Sequence, residues 1–196
     1  AYRTTIETVV REGLDTNVSI KPTAVGLKID PELARRTTAE VLRAAGKHGM
    51  FVRIDMEDSS TVTSTLALYD RLRADGFDNV GVVLQSYLRR TMDDVRQLAA
   101  RGVSMRLVKG IYVEPRELAF QDYDTIRQEF INMMDVVLSS EAGYAAIATH
   151  DEYLCVAARH LIAKYNVPKT RYEFQFLLGV DPQLRRAEFE RVASEL

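Results

Sequence analysis

The chain alternates between short apolar runs and longer stretches in which apolar residues recur at helical spacing. Each short run ends in polar residues and is followed by an amphipathic stretch, as in a series of βα units. This alternation predicts a parallel sheet that is covered by helices. The runs predicted as strands are residues 18–21, 50–55, 80–85, 105–110, 144–149 and 172–177.

The stretches between the runs predict helices, several of which carry the expected residues at their ends. Asp30 is placed to cap a helix that begins at Pro31, while Gly76 and Gly102 are placed to end two others. The predicted helices cover residues 1–12, 31–47, 60–74, 91–101, 117–140, 151–165 and 181–195.

Polar residues at the end of nearly every run favour a closed (β/α)₈ barrel over an open doubly wound sheet. In a barrel the carboxyl ends of all strands ring one face, whereas an open sheet places its ligand at one switch point. Only six strands are readable. We therefore expect a single barrel domain over residues 1–196 that is truncated at both ends, with a strand before Ala1 and a strand and helix after Leu196.

Composition removes several classes of function. The 196 residues include 26 Lys and Arg against 28 Asp and Glu, which argues against a nucleic-acid binder held by phosphate contacts. The single cysteine, Cys155, excludes an internal disulfide and a cysteine-built metal site, and we expect it to pack in the core of a cytoplasmic protein. No apolar run approaches the roughly 20 residues that span a bilayer.

The segment 51–58 begins as an apolar strand and then gathers the charged residues Arg53, Asp55, Glu57 and Asp58. Burying charge is costly unless each charge has a partner or a ligand. We therefore expect the end of this strand to face a polar ligand. Asp55 could instead pair with Arg53 or Lys21, and the last two acids could cap the following helix.

The other runs end in cations, amides and a histidine, and the sequence contains no Gly-rich phosphate loop, no paired metal-binding histidines and no Gly-x-Ser-x-Gly motif. Cations and amide donors without metal ligands suit an organic ligand with polar edges that gains negative charge. A flavin has these properties. Arg106 could contact such a ligand or pair with an acid such as Glu173.

Five segments, taken in order, resemble the strand motifs of flavin-dependent proline dehydrogenase of the monofunctional bacterial type, over essentially the whole chain. The resemblance implies a barrel that binds FAD and oxidises L-proline to Δ1-pyrroline-5-carboxylate. It also implies transfer of electrons to a quinone-type acceptor and a possible peripheral contact with the membrane. The segments are 52–58, 83–88, 106–112, 148–151 and 172–177.

The resemblance also implies roles for individual residues. Asp55 and Arg106 match catalytic positions, while Lys21 and Leu177 match substrate-binding positions, with Lys21 meeting the substrate carboxylate. Ile111 departs from the family, which usually has a small residue there. The cofactor-binding positions are Met56, Gln85, Lys109, Gly110, Ile111, Thr149, His150 and Gln175.

Two alternatives stay open from the sequence. The family's tyrosine and arginine pair that grip proline lie beyond Leu196, so we expect this chain to be weakly active or inactive if nothing follows it. One alternative is therefore a truncated barrel that binds flavin without turnover. The other is a barrel enzyme that acts on another small acid through Lys21 or Lys109 as a Schiff-base lysine.

Overall fold

The computed structural model describes residues 1–194, so the predicted end of the last helix at Glu195 lies outside the described residues. Two compact units are present. The first unit is Ala1–Val83 and the second begins at Leu84. The third strand of the chain runs through the boundary between them.

All six predicted strands are confirmed, with ends that differ by a few residues. In each unit neighbouring strands follow chain order and are parallel. The strands are β1 (Val18–Ile20), β2 (Val52–Ile54), β3 (Val80–Gln85), β4 (Ser104–Val108), β5 (Tyr144–Ala148) and β6 (Tyr172–Gln175).

All seven predicted helices are also present. The helices are α1 (Tyr2–Arg11), α2 (Pro31–Gly46), α3 (Val62–Ala74), α4 (Thr91–Ala99), α5 (Tyr123–Ser139), α6 (Glu152–Lys164) and α7 (Pro182–Ser194). Short 3₁₀ turns cover Thr23–Val25, Ser59–Thr61 and Lys169–Arg171. Each helix follows a strand except α1, so the βα order predicted from the sequence is confirmed.

The first unit is built around α2, which contacts both α1 and α3. The predicted cap is confirmed, because the Asp30 carboxylate accepts hydrogen bonds from the backbone N–H groups of Glu32 and Leu33. Leu42 and Ala45 are fully buried on the inner face of α2. The side chains of β2, including that of Arg53, are also buried.

Helix α5 begins six residues later than the sequence predicts. Residues before it are held in another way, since Leu88 and Ala119 form an antiparallel bridge and Phe120 N–H donates to the Tyr87 carbonyl. Their backbone groups therefore have partners outside a helix. The helix starts only after Asp122, whose carboxylate accepts the N–H of Thr125.

The core of the second unit forms around α5, which contacts α4, α6, β4 and β5. Phe130, Met133 and Met134 are fully buried on this helix, as expected. Cys155 is also fully buried on α6, and burial raises the pKa of its thiol to about 12. At neutral pH Cys155 is therefore an uncharged packing residue, as the sequence predicts.

Replacing Phe130 by alanine should test whether α5 organises the second unit. We expect Phe130→Ala to lower the free energy of unfolding by about 3–5 kcal/mol, because a large buried ring leaves a cavity. Gln128→Ala, on the exposed face of the same helix, is the control and should stay within about 0.5 kcal/mol of the wild type. Urea unfolding followed by circular dichroism measures both. Equal effects of the two substitutions would contradict the assigned core.

Candidate functional site

In the first unit, two residues predicted to act on substrate lie side by side at the carboxyl ends of β1 and β2. Ile20 and Ile54 are partners in the strand register, so Lys21 and Asp55 are the next residues of each strand. The Asp55 N–H donates to the Ile20 carbonyl at 2.9 Å. Lys21 is exposed, Asp55 is half-buried and Met56 is buried.

Glu57 and Asp58, the two acids with an alternative capping role, behave differently. Asp58 does cap the 3₁₀ turn that precedes α3, accepting the N–H of Ser60. Glu57 is buried and reaches the loop after β1, where it accepts the N–H of Thr23 at 2.8 Å and its hydroxyl at 2.7 Å. Glu57 therefore fixes the loop that follows Lys21.

In the second unit, Arg106 reaches across β5 to β6. Its Nε donates to Gln175 Oε1 at 2.6 Å, and Gln175 Nε2 donates to Glu173 Oε1 at 2.7 Å. The register places Ala146 beside Arg106 and Ala148 beside Gln175. Because alanine side chains are small, the Arg106 side chain can cross β5, and Arg106, Gln175 and Glu173 form a polar floor on this face of the sheet. Gln175 thus links Arg106 to Glu173. The sequence alone left open whether Arg106 contacts a ligand or pairs with this acid.

His150 and Thr149 follow β5, and Leu177 follows β6. The Leu177 N–H donates to Nε2 of His150 at 2.8 Å, so in the neutral ring the proton lies on Nδ1. Nδ1 is buried and has no hydrogen-bond partner among residues 1–194. A buried donor without an acceptor is costly, so this atom is suited to a ligand oxygen or nitrogen. The Leu177 side chain is 69% exposed.

Lys109, predicted to bind the cofactor, lies in a cluster of charged and aromatic side chains around Asp151. Arg127 takes both oxygens of the Asp151 carboxylate, from Nε at 2.7 Å and from Nη2 at 2.9 Å. Tyr123 donates to the same carboxylate at 2.8 Å, and Lys109 Nζ donates at 3.2 Å. The Arg127 guanidinium also lies over the rings of Tyr123 and Tyr153.

The hydrogen bonds around Asp151 keep its carboxyl group ionised. Burial of Asp151 acts to raise the pKa of its carboxyl group, but the hydrogen bonds from its three donors outweigh burial and hold that pKa well below its usual range. The same contact raises the pKa of Arg127. Asp151 therefore stays ionised between Lys109 and Arg127, and Arg127 also pairs with the exposed Asp124 at 3.7 Å.

Gly110 is the one position of the β4 motif where only glycine fits. Its φ is +111°, and an added Cβ would lie 2.2 Å from Cδ1 of the Tyr87 ring. The Tyr87 N–H also donates to the Lys109 carbonyl at 2.9 Å. The Tyr87 ring thus packs against the backbone at Gly110, whereas the next side chain, Ile111, is 86% exposed.

Gln85 ends β3 with a buried side chain, and its backbone carbonyl accepts the Thr91 hydroxyl at 2.7 Å.

The sequence analysis did not identify Tyr123 and Arg127 as candidate site residues. Their spacing of four residues places them on one helix face, but the helix was predicted to start too early for them to be recognised as its first turn. With the start at Tyr123, both side chains lie beside the strand ends.

Metal-binding clusters and membrane-spanning helices are both absent from the described part of the chain. Within residues 1–194, no three histidine, cysteine or acidic side chains are grouped so that they could hold a metal ion. Across the same residues, no helix combines the length and the apolar character needed to cross a membrane.

Comparison with known proteins identifies relatives over nearly all of the chain. A family model described as Proline dehydrogenase matches residues 1–193. Proline dehydrogenase 1 of Bacillus subtilis is 33% identical over 181 residues, covering 92% of this chain and 59% of that protein. Proline dehydrogenase of Deinococcus radiodurans is 31% identical over 185 residues, with the same coverage of both chains. The chain thus spans about 59% of the length of these relatives.

Solved structures are similar in fold. Proline utilization A from Bdellovibrio bacteriovorus, in a form inactivated by N-propargylglycine, superposes with a TM-score of 0.86 over 97% of this chain and 24% of that one, at 23% identity. The bifunctional proline utilization A protein gives a TM-score of 0.83 at 19% identity, covering 100% of this chain and 23% of that chain. The predicted fold class, an incomplete (β/α)₈ barrel of about six βα units, is confirmed.

Substituting Gly110 by alanine should be more harmful than substituting another glycine of similar backbone conformation. We expect Gly110→Ala to cost about 1–3 kcal/mol beyond backbone strain, because the Tyr87 ring would have to move. Gly76→Ala is the control, since its φ is +90° and an added Cβ meets no described atom within 4 Å. Free energies of unfolding give the comparison. Equal losses would show that the Tyr87 contact does not restrict this position.

The lowered pKa of Asp151 predicts how the stability of the chain depends on pH. The folded pKa lies below the unfolded value of about 3.9, so the stabilisation is present above that pH and is lost as the pH falls towards the folded pKa. Asp151→Asn should therefore be less stable than the wild type at neutral pH, and the gap should narrow in acid. Urea unfolding at several pH values measures this. A gap that is constant with pH would contradict the prediction.

Proposed function

The chain belongs to the proline dehydrogenase family, and from this premise we propose that it serves the FAD-dependent oxidation of L-proline to Δ1-pyrroline-5-carboxylate. The single observation that supports the site most directly is the polar floor of the second unit. There Arg106, Gln175 and Glu173 form a hydrogen-bonded row beside two small residues of β5. A flat ring with polar edges fits such a floor.

The residues of the second unit fit a bound flavin on chemical grounds. His150 has a buried N–H donor on Nδ1 for which residues 1–194 supply no acceptor. The Lys109 ammonium keeps one N–H for a pyrophosphate or for a reduced ring, since residues 1–194 accept only two of its three. We propose that Gln85, Arg106, Thr149 and Gln175 complete this set, with Gly110 and Ile111 as further contacts.

In the first unit, Lys21 and Asp55 are the proposed substrate residues. The exposed Lys21 ammonium would bind the carboxylate of proline, and Asp55 would hold the polar surroundings of its amine. The Glu57 carboxylate fixes the loop after Lys21, which limits the directions that the lysine can take. Leu177 is proposed as an apolar contact for the substrate.

A bound flavin would supply the two-electron acceptor for the hydride that leaves proline. Arg106 and Lys109 would stabilise negative charge at the ring by donating hydrogen bonds, which is the principal task of the protein in such chemistry. Transfer of electrons onward to a quinone, a cytoplasmic location and a peripheral contact with the membrane stay proposals of the same kind.

An anaerobic titration tests the proposed function. The chain, incubated with FAD and desalted, should keep a yellow colour, and excess L-proline should bleach it, whereas D-proline serves as the control. Because single-turnover bleaching needs no acceptor, it detects even a weakly active chain. Colour that proline does not bleach would contradict oxidation and favour the binding-only alternative. Absence of retained flavin, together with borohydride trapping of a keto acid, would favour the Schiff-base alternative.

Arg106 provides a prediction with a matched control. We expect Arg106→Met to weaken flavin binding by on the order of tenfold to a hundredfold, since hydrogen bonds from charged groups contribute about 1.5–3 kcal/mol. The control is Arg96→Met on α4, where the guanidinium is exposed and pairs with Asp93. Fluorescence quenching of the flavin measures both affinities. Unchanged affinity in Arg106→Met would remove Arg106 from the flavin site.

A further inference from the structure

We infer that Asp151 is a positioning residue whose carboxylate holds the Lys109 ammonium in place at the end of β4. This inference deepens the proposed function, because it assigns Lys109 to the flavin site. It concerns residues of the second unit only. Neither the sequence motifs nor the resemblance gives Asp151 this role.

Asp151 does not cap the helix that it precedes. It occupies the position before α6 at which an aspartate normally caps the helix, yet its side chain accepts no N–H of that helix. Its own N–H donates to the Thr149 hydroxyl at 3.1 Å, which fixes the backbone there. The carboxylate is 3% exposed and directed entirely to the cluster around Lys109 and Arg127.

The Asp151 carboxylate is held rigidly by Arg127. The two-point contact with Arg127 sets the plane of the carboxylate, and the guanidinium is itself held over the Tyr123 ring at 4.4 Å and the Tyr153 ring at 5.2 Å. Such a fork is more directional than a single ion pair. Asp151 is therefore a fixed acceptor rather than a mobile counter-ion.

The hydrogen bonds of Lys109 hold its ammonium group and leave one donor unused. A lysine ammonium has three N–H donors, and residues 1–194 use two of them, at Tyr123 (3.1 Å) and at Asp151 (3.2 Å). One donor is left for a ligand. A free lysine loses rotamer entropy when it is immobilised. Here Asp151 and Tyr123 immobilise Lys109 before any ligand binds, and preorganisation of this kind increases affinity.

A positioning residue acts through another residue, so a double-mutant cycle is the direct test. We expect Asp151→Asn to weaken flavin binding by about 5- to 30-fold. In this variant Lys109 is no longer held in advance, so its rotamer entropy is lost only when flavin binds. In a Lys109→Met background the same substitution should change the affinity less than twofold. Equal effects in both backgrounds, or tighter binding in Asp151→Asn, would overturn the inference.

The chain offers a closely matched control on its own surface. Asp135 accepts a lysine ammonium, that of Lys164, at 3.2 Å and a tyrosine hydroxyl, that of Tyr165, at 2.8 Å. These are the donor types and distances found at Asp151, without the arginine. Asp135→Asn should leave flavin affinity unchanged. An effect equal to that of Asp151→Asn would show that loss of any such ion pair weakens flavin binding, whether or not it contacts Lys109.

A readout without flavin separates this inference from the proposed function. In the flavin-free protein, the rate of acylation of Lys109 by acetic anhydride, measured by peptide mass spectrometry, should rise at least threefold in Asp151→Asn. Lys164 in the same molecule is the internal standard. If the wild type retains no flavin, the proposed function fails, but the acylation rate still decides the role of Asp151. An unchanged rate would contradict that role.

Tyr123→Phe covers the case in which Asp151→Asn does not fold. It removes the hydroxyl that contacts both Lys109 and Asp151 while keeping the ring under Arg127. We expect faster acylation of Lys109 and weaker flavin binding, both by smaller factors than for Asp151→Asn. Circular dichroism checks folding of each variant. A Tyr123→Phe protein with wild-type acylation would contradict the proposed immobilisation.

Discussion

The parallel register of the strands is the constraint on which the placement of the candidate residues in each unit depends. Because parallel strands end at the same edge of a sheet, residues far apart in sequence become neighbours there. In the first unit this brings Lys21 beside Asp55, and in the second unit it aligns Arg106 with Gln175 across one intervening strand. The small side chains of that strand decide how far the arginine can reach.

Charge pairing explains why the second unit tolerates so many polar groups near its strands. Arg106 is joined to Glu173 through Gln175, and Asp151 is shared by Lys109 and Arg127. Each arrangement satisfies groups whose burial would otherwise be costly. The second arrangement does not use every donor, since one N–H of Lys109 finds no acceptor within the described residues. Unused donors of this kind are what a ligand with oxygen or nitrogen acceptors requires.

Family membership and geometry contribute different parts of the argument. The match to the family model and identities of 31–34% to proline dehydrogenases establish the family, whereas the solved structures, at 23% identity or below, establish the fold. The chain spans about 59% of the length of these relatives, and its activity on proline is a proposal. The contacts around Asp151 come from this chain alone and lead to tests that do not depend on its relatives.

The sequence by itself determined the order of strands and helices, the cap at Asp30 and the strand-end motifs, because these depend on local periodicity and on backbone chemistry. It placed the start of α5 too early, since pairing of Ala119 with Leu88 is a contact between distant segments. Only the tertiary structure showed that Asp151 faces Lys109 rather than capping its helix. Which acceptor a charged side chain selects depends on the distances that folding creates, and no local pattern encodes them.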